Sequence, residues 1–247
     1  MENVICFNET AKEDMKNFMD YNKIDIILLS TGLTSIFAVS IIFKTNWAVL
    51  LLSVLFLLTT FTQAKGKIIT QFLGIITFVF YIFVSLNNGL YGEAILYFFI
   101  LLPMYFSGII HWLMHRDKKN ETVIINNKLS KKEWLFLCFL MIFALFFAYF
   151  LLKWLKTDNL IISVLAFVSM LPAIYLLEKR NKWNQLLFLI NDLFVPVLWF
   201  CISIKKDSSM ICLVVCFFFQ LIYDFYGIFE WIKIEKRQKE NNDNIAL

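Results

Sequence analysis

One apolar stretch of the chain contains amide, carboxyl and indole groups at helical spacing. The sequence WNQLLFLINDLFVPVLW, from Trp183 to Trp199, has Asn191 and Asp192 near its centre. Asn184 lies seven residues before Asn191, and Trp199 lies seven residues after Asp192, so the members of each pair share a helix face. Amides can pair with a carboxamide or a sugar hydroxyl, and Trp rings attract cations. The spacing therefore predicts a surface that binds a small polar ligand.

Each of these residues also has a structural interpretation that the sequence leaves open. Asn191 is expected either to bind a ligand or to form a hydrogen bond between two helices, as Asn often does in membranes. Trp183 follows Lys182, a position that also suits the aromatic belt at a membrane surface. A carboxyl group at mid-membrane costs about 2.5–3.5 kcal/mol, so Asp192 needs a partner, which is either a ligand or another helix.

Composition places these groups inside a membrane. The chain of 247 residues is 60% hydrophobic, contains 28 Phe and has a mean hydropathy of +0.71, which is more than a soluble domain can bury. One crossing needs about 20 apolar residues. Eight such runs occur, at 24–43, 46–62, 68–88, 90–113, 134–152, 158–177, 184–204 and 208–232. The predicted fold class is all-α, a polytopic membrane protein with about eight transmembrane helices.

The basic residues predict how these spans are oriented. With the N-terminus inside, 18 of the 23 Lys and Arg residues fall in interior segments and 5 in exterior loops, as the positive-inside rule requires. Both termini are therefore expected in the cytoplasm, and the cell membrane is expected to be bacterial. The net charge of +4 follows from this topology. No basic stripe with interleaved aromatics indicates a nucleic-acid partner.

Catalytic and metal chemistry have little support in the sequence. No P-loop, nucleophile elbow or H-E-x-x-H motif occurs, and the five cysteines lack C-x-x-C spacing. His111 and His115 have the i, i+4 spacing of metal ligands, but their neighbours Trp112 and Arg116 favour an interfacial role. We expect no enzyme, no metal and no cofactor. A membrane enzyme or receptor would also need a catalytic constellation or a soluble output domain, and the loops are short.

An internal repeat organises the chain. The sequence GIIHW at 108–112 recurs 119 residues later as GIFEW at 227–231, and the same offset pairs Tyr105 with Asp224. Two ordinary membrane helix ends would also carry an interfacial Trp, but Gly and Trp at matching places favour duplication. Spans two to four then correspond to spans six to eight. Because each repeat has an odd number of helices and both point the same way, the fifth span is an extra crossing between them.

The whole chain, 1–247, is thus predicted to be one membrane domain. Its parts are an N-terminal tail 1–23, an extra helix 24–43, a first three-helix repeat 46–113, a linker helix 134–152, a second three-helix repeat 158–232 and a cytoplasmic tail 233–247. Parallel repeats are a transporter design, with the substrate near the midplane between them. Pro103, Pro172 and Pro196 fall inside spans, where each permits a kink.

Four segments together resemble the PnuC family of vitamin transporters, best known for nicotinamide riboside. They are QAKGKIITQFLG, GLYGEAILYFFILLPMYFSGIIHW, EKRNKWNQLLFLIND and FYGIFEW, and the resemblance extends from about 62 to 233. Its most specific parts are L-Y-G-E at the start of span four, the Gly-x-x-x-Trp end of that span, and Trp183 at the start of span seven. The chain departs from the family pattern at Leu186 and Leu187, where relatives often have a second Trp.

The resemblance implies facilitated diffusion of an unphosphorylated vitamin precursor, retained in the cell by a cytoplasmic kinase. It also implies a SWEET-like 3+1+3 fold, here with an extra N-terminal helix, and a homotrimer. We expect alternating access without obligatory ion coupling. The alternative is a carrier of another vitamin, a nucleoside or a sugar on the same fold, with proton coupling left open by Asp192 and Asp224.

The predicted substrate site combines span seven with its repeat partner, span three. The resemblance makes Gln71 the first choice on span three. The residues predicted to bind substrate are Trp183, Asn191, Gln71, Asn184, Asp192, Trp199, Tyr105 and Asp224. Two further acidic residues, Glu93 and Glu230, are expected at the membrane interfaces.

Overall fold

Eight apolar helices long enough to cross a membrane dominate the part of the chain that the computed structural model describes, residues 22–117 and 122–245, with side chains as far as residue 240. The eight predicted spans are confirmed. The first three are Lys23–Ile42, Trp47–Ala64 and Ile69–Asn87. The fourth consists of Tyr91–Leu96, a π-helical turn Tyr97–Leu101 and Leu102–Met114. The predicted N-terminal tail falls almost entirely outside the described residues.

The second half of the chain contains the other four spans. The fifth and sixth are Lys131–Trp154 and Leu160–Glu178. The seventh is two helices, Asn184–Asn191 and Val195–Lys205, and the eighth is a 3-10 turn Ser208–Met210 followed by the helix Ile211–Ile245. The predicted tail from 233 is therefore a continuation of the last helix. Its sequence KIEKRQKENN lacks Gly and Pro and consists largely of good helix formers.

A small β-hairpin forms in the polar connection between spans four and five. Strand β1, Arg116–Asp117, pairs antiparallel with strand β2, Thr122–Val123. A further bridge joins Thr122 to Lys67, in the turn between spans two and three. The hairpin thus connects two loops at the same end of the bundle. We call this the basic end, because the Lys- and Arg-rich segments of the sequence lie here. The first span also begins at this end, and the eighth span leaves the apolar region here.

The three prolines have different effects on their helices. Pro103 follows the π-helical turn of span four, and Pro196 follows the interruption of span seven. Span six remains a continuous helix across Pro172. Both interruptions occur beside buried polar residues, where the protein itself can satisfy the freed backbone groups.

We call spans two to four the first triplet and spans six to eight the second triplet. The two Gly-x-x-x-Trp motifs make reciprocal contacts between these triplets. Trp112, near the end of span four, donates its indole N–H to the carbonyl of Leu177 in span six at 2.9 Å. Trp231, in span eight, donates to the carbonyl of Gln63 in span two, also at 2.9 Å. The two indole rings meet edge to face at 6.1 Å. Each triplet thus bonds the end of the first helix of the other.

The glycines of the same motifs each accommodate a glutamine side chain. A Cβ atom on Gly108 would lie 2.6 Å from Oε1 of Gln71, and one on Gly227 would lie 2.6 Å from Oε1 of Gln185. Gln185 follows Gln71 by 114 residues, the same offset that separates Leu177 from Gln63. These matched contacts support the predicted duplication and explain why both motifs require Gly.

The first and fifth spans have similar relations to the triplets that follow them. Asp25, in the first turn of span one, pairs with Lys65 at 2.7 Å, and Glu133, in the first turn of span five, pairs with Lys179 at 3.4 Å. Lys65 and Lys179 end the first helices of their triplets and are again 114 residues apart. The extra helix and the linker helix therefore play comparable packing roles.

The reciprocal indole bonds allow a matched stability test. We expect Trp112→Phe and Trp231→Phe each to lower the free energy of unfolding by about 1–3 kcal/mol, because each leaves a buried carbonyl without its donor. The control is Trp154→Phe, whose parent side chain is 77% exposed. Thermal unfolding in detergent measures all three. Equal stability of Trp112→Phe and Trp154→Phe would contradict the assigned role of the indole bond.

Candidate functional site

A small cavity lies between the two triplets, with a volume of about 40 Å³. This is room for about three water molecules at roughly 10–15 Å³ each. All six helices of the two triplets contribute to its lining, which includes only two aliphatic or thioether side chains, Met170 and Val195. The lining residues are Phe56, Thr59, Thr60, Gln63, Thr77, Phe78, Tyr81, Tyr97, Tyr105, Met170, Phe188, Asn191, Asp192, Val195, Phe217, Gln220 and Asp224.

The interruption of span seven positions two of the predicted residues in this cavity. The first helix of the span ends at Asn191, and Asp192 is its C-terminal cap. Asn191 donates its amide N–H groups to the carbonyl of Ala166 at 2.7 Å and to Oγ of Ser169 at 2.8 Å. Asn191 therefore joins spans six and seven while it lines the cavity, so both of its sequence-level interpretations are compatible with the structure.

Asp192 of span seven and Asp224 of span eight both line the cavity and are both buried. Oδ2 of Asp192 has no hydrogen-bond partner among the described residues. Gln185 supports the other carboxylate. In the amide orientation that satisfies both of its groups, Gln185 donates to Oδ1 of Asp224 at 3.1 Å. Its oxygen lies 3.1 Å from the indole nitrogen of Trp231, so it shares that single N–H with the Gln63 carbonyl.

Aromatic rings form the opposite wall. Phe78 and Tyr105 meet edge to face at 4.8 Å, and Tyr81 stacks on Tyr97 at 4.5 Å with an angle of 29° between the rings. Tyr105 lies directly on Gly74, where an added Cβ would be 2.1 Å from the ring. A glycine in span three thus allows a tyrosine of span four to reach the cavity.

Glu93, which the sequence predicts at a membrane interface, is 1% exposed and packs inside the bundle beside this aromatic wall. Tyr81, which lines the cavity, donates its hydroxyl to Oε2 of Glu93 at 3.1 Å. The L-Y-G-E turn carries Glu93 into the bundle instead of outward, and its other oxygen, Oε1, has no partner among the described groups. Hydropathy at a helix end does not reveal which side of the helix faces inward.

Glu230 is also buried, in an ionic cluster at the basic end of the bundle, and its position at a membrane interface stays a prediction. It accepts from Lys65 at 2.9 Å, and Lys65 further contacts Asp25 at 2.7 Å and Tyr226 at 3.0 Å. Burial lowers the pKa of the Lys65 ammonium, but the hydrogen bonds to these three partners outweigh it and raise the pKa above its usual value. This ionic cluster links spans one, two and eight at the basic end of the bundle.

Four of the eight predicted binding residues, Asn191, Asp192, Tyr105 and Asp224, line the cavity. The other four lie outside its lining. Gln71 is buried against Gly108, and Asn184 donates to the carbonyl of Asn181 at 2.6 Å. Trp183 is 48% exposed beside Lys182, with the lysine Nζ 5.5 Å from the ring centre. Trp199 is fully buried and packs edge to face on Tyr81 at 5.7 Å.

Helix geometry explains why these residues are outside the cavity. Asn184 shares a face with Asn191 but lies about 10 Å away along the axis, at 1.5 Å per residue. The spacing rule that predicts a shared face for Asp192 and Trp199 does not apply, because the helix is interrupted between Asn191 and Val195, and only Asp192 lines the cavity. The i, i+7 rule holds only within a continuous helix.

Sequence reasoning did not select several residues that the structure brings to the site. Gln63, Thr77, Tyr81, Tyr97 and Gln220 line the cavity, and Gln185 supports Asp224. The 114-residue offset that pairs KGKIITQ with KRNKWNQ would have identified Gln185, because it matches Gln71. No comparable sequence match identifies the other five lining residues. Thr and Tyr in particular are common in membrane helices, so their presence alone does not indicate a site.

A polar cavity enclosed between two similarly arranged helical triplets, at an interrupted helix within the membrane spans, defines a membrane transport protein. The model of the nicotinamide mononucleotide transporter family matches residues 46–233. The chain belongs to this family.

Two individual proteins show the same relationship. The nicotinamide riboside transporter PnuC of Neisseria mucosa is 25% identical over 200 residues, which cover 78% of this chain and 74% of that protein. A crystal structure of the vitamin B3 transporter PnuC superposes with a TM-score of 0.75 at 22% identity, covering 88% of this chain and 94% of that one. The fold of this chain is therefore that of a solved vitamin transporter.

The contact between Gly74 and Tyr105 generates a prediction about the aromatic wall. Gly74→Ala should lower the free energy of unfolding by about 1–3 kcal/mol, because the new methyl group overlaps the ring of Tyr105. In a Tyr105→Leu background the same change should cost much less, which thermal unfolding of the four proteins in this double-mutant cycle will measure. Additive losses would show that the ring is not what excludes a side chain at Gly74.

Proposed function

We propose that this protein carries nicotinamide riboside across the cell membrane by alternating access. The observation that supports this most directly is the chemistry of the cavity. Aromatic rings form one wall, and amide and carboxyl groups form the other. Nicotinamide riboside has a cationic pyridinium ring, a carboxamide and ribose hydroxyls. Aromatic faces and carboxylates suit the cation, and Asn191 and Gln220 suit the carboxamide and hydroxyls.

Charge distinguishes the nucleoside from its phosphorylated form. No Lys, Arg or His is among the lining residues that the structure describes, whereas phosphate recognition in proteins relies on Arg, Lys or helix N-termini. A phosphate group beside Asp192 and Asp224 would meet like charge in a low-dielectric site. These features favour nicotinamide riboside over nicotinamide mononucleotide.

The size of the cavity supports alternating access. A volume of about 40 Å³ is far below the roughly 300 Å³ at which ligand pockets begin, so the walls must separate before a nucleoside can enter. The Lys65 cluster ties spans one, two and eight together at the basic end. We therefore propose that the two triplets move against each other and that this cluster opens and closes the basic end. Trp183 would meet the substrate only in a more open state.

Several further features belong to this proposal. The basic end is proposed to face the cytoplasm, with both termini on that side, because the basic residues concentrate there. A cytoplasmic kinase that phosphorylates the nucleoside is the proposed partner for its retention, and a homotrimer in the bilayer is the proposed assembly. Transport is proposed to be facilitated diffusion without obligatory ion coupling. Proton coupling through Asp192 and Asp224 is the alternative.

Transport by the purified protein in liposomes tests the substrate. We expect saturable uptake of radiolabelled nicotinamide riboside at least tenfold above empty liposomes, and little uptake of nicotinamide mononucleotide, thiamine, riboflavin or glucose. The physical reason is the acidic and aromatic lining described above. Uptake of the mononucleotide in preference to the nucleoside would contradict the proposal, and sugar uptake alone would favour the alternative carrier.

Substitution of Asn191 tests the site. Asn191→Ala should weaken nicotinamide riboside binding at least tenfold, because it removes the amide from the cavity and the link to span six. The matched control is Asn88→Ala, which also removes an amide bonded to a helix carbonyl, that of Val84 at 2.9 Å, but at the far end of span three. Isothermal titration of folded, monodisperse protein measures both. Equal loss of affinity in the two variants would place the binding site elsewhere.

A further inference from the structure

A buried acidic side chain lies beside the aromatic wall of the cavity without lining it. Glu93, in the first turn of span four, is 1% exposed and is not among the lining residues. In the part of the chain that the structure describes, it forms no ion pair with a basic residue. An acidic group inside a membrane span normally has a partner or lies on a substrate pathway, so Glu93 needs a functional explanation.

Tyr81 connects Glu93 to the cavity. Its hydroxyl donates to Oε2 of Glu93 at 3.1 Å, and its side chain is part of the cavity lining. Three aromatic neighbours fix the ring: it stacks on Tyr97 at 4.5 Å, and it meets Phe56 at 5.8 Å and Trp199 at 5.7 Å edge to face. The same rigidly packed side chain therefore contacts both the carboxyl group and the cavity.

The hydrogen bond to Glu93 changes how the Tyr81 ring interacts with charge. The face of an aromatic ring has a negative electrostatic potential and attracts cations. A phenol that donates to a carboxylate forms a charge-assisted bond that polarises it, so the potential at the ring face becomes more negative. The carboxylate adds its own attraction, which is strong where the dielectric is low. Both effects favour a cation in the cavity and contribute little to binding of an uncharged ring.

A purely structural role for this hydrogen bond leads to a different expectation. The side-chain amide of Gln has nearly the shape of a carboxylate, and its oxygen can accept from the Tyr81 hydroxyl. If Glu93 only held Tyr81 in place, Gln at this position would preserve both the packing and the binding of any ligand. A difference between Glu and Gln therefore reports on the charge of the group.

We infer that Glu93 determines the specificity of the cavity for charge: its carboxylate, acting through Tyr81, makes the aromatic wall select a positively charged heteroaromatic ring over an uncharged ring of the same shape. This inference rests on the proposed function and narrows its substrate class to pyridinium nucleosides. Glu93 does not itself contact the substrate, and it acts by positioning and polarising Tyr81.

Isothermal titration of the purified full-length protein with two ligands tests this selectivity. The ligands are nicotinamide riboside and its reduced dihydronicotinamide form, which has nearly the same shape and no positive charge. We expect Glu93→Gln to weaken binding of the cation about tenfold and to leave binding of the uncharged form within about twofold, because the lost attraction acts on charge alone. Unchanged binding of the cation, or equal weakening of both ligands, would overturn the inference.

Glu178→Gln is the matched control. Glu178, at the end of span six, also accepts from a hydroxyl group, that of Ser107 at 2.8 Å, and is not among the cavity-lining residues. This substitution removes the same charge from the protein and should leave the affinities for both ligands within about twofold, since exposed and distant charges are screened. A loss of selectivity equal to that of Glu93→Gln would show that the position of the carboxylate is irrelevant.

A double-mutant cycle tests whether Glu93 acts through Tyr81. Tyr81→Phe keeps the ring and removes the one hydrogen-bond donor that the described residues provide to Glu93, and a buried carboxylate without a donor does not stay charged. We therefore expect Tyr81→Phe to weaken binding of the cation about as much as Glu93→Gln, and the double variant to be no weaker than either. Additive losses would contradict the role given to Tyr81.

The design separates this inference from the proposed function. If the parent protein does not bind nicotinamide riboside, the proposed function is overturned. If the parent binds it and both variants bind it equally well, only the role of Glu93 is overturned. Where the uncharged form binds too weakly to measure, the cycle on the cation decides. If Glu93→Gln does not fold, Tyr81→Phe is compared with the parent on both ligands by the same criterion.

Discussion

The structure depends on a single constraint: a polar group in an apolar layer must find its partner within the protein. A backbone carbonyl at the end of the first helix of each triplet accepts a hydrogen bond from the indole N–H of Trp112 or Trp231. Gln71 and Gln185 pack against glycines, and any larger residue at those two positions would overlap the glutamine side chain. Because lipid tails are as apolar as Leu and Phe, burial of these side chains gives little preference for one helix arrangement over another. The polar contacts and the close approach of small residues select the arrangement.

The two triplets match in geometry but differ in chemistry where they meet. At the 114-residue offset, Phe78 corresponds to Asp192 and Thr77 to Asn191, and at the 119-residue offset Tyr105 corresponds to Asp224. All six line the cavity. Both carboxyl groups of the lining thus come from the second triplet, while all three of its tyrosines come from the first. A repeated scaffold can in this way produce a chemically asymmetric cavity.

Buried polar groups outside the cavity show how the ends of the bundle are held. Lys65 joins Asp25, Tyr226 and Glu230 at the basic end, while Glu93 bonds Tyr81 next to the cavity. An ionic cluster of this kind is costly to break when one partner is lost, since the remaining charge is then buried alone. The ion pairs can nevertheless dissociate at lower cost when all members of the cluster become hydrated together. These properties suit a closure that opens as a unit during transport.

The sequence by itself determined the membrane class, the eight spans, the Gly-x-x-x-Trp repeat and the four polar residues of spans four, seven and eight that line the cavity. These features follow from hydropathy and helical spacing, which are local. Only the tertiary structure decided that Gln71 fits against Gly108, that Trp199 packs on Tyr81 outside the cavity lining, and that Glu93 faces inward. Each of these depends on which neighbouring helix lies opposite a residue. In an apolar solvent that choice is made by contacts between distant segments, which no local pattern records.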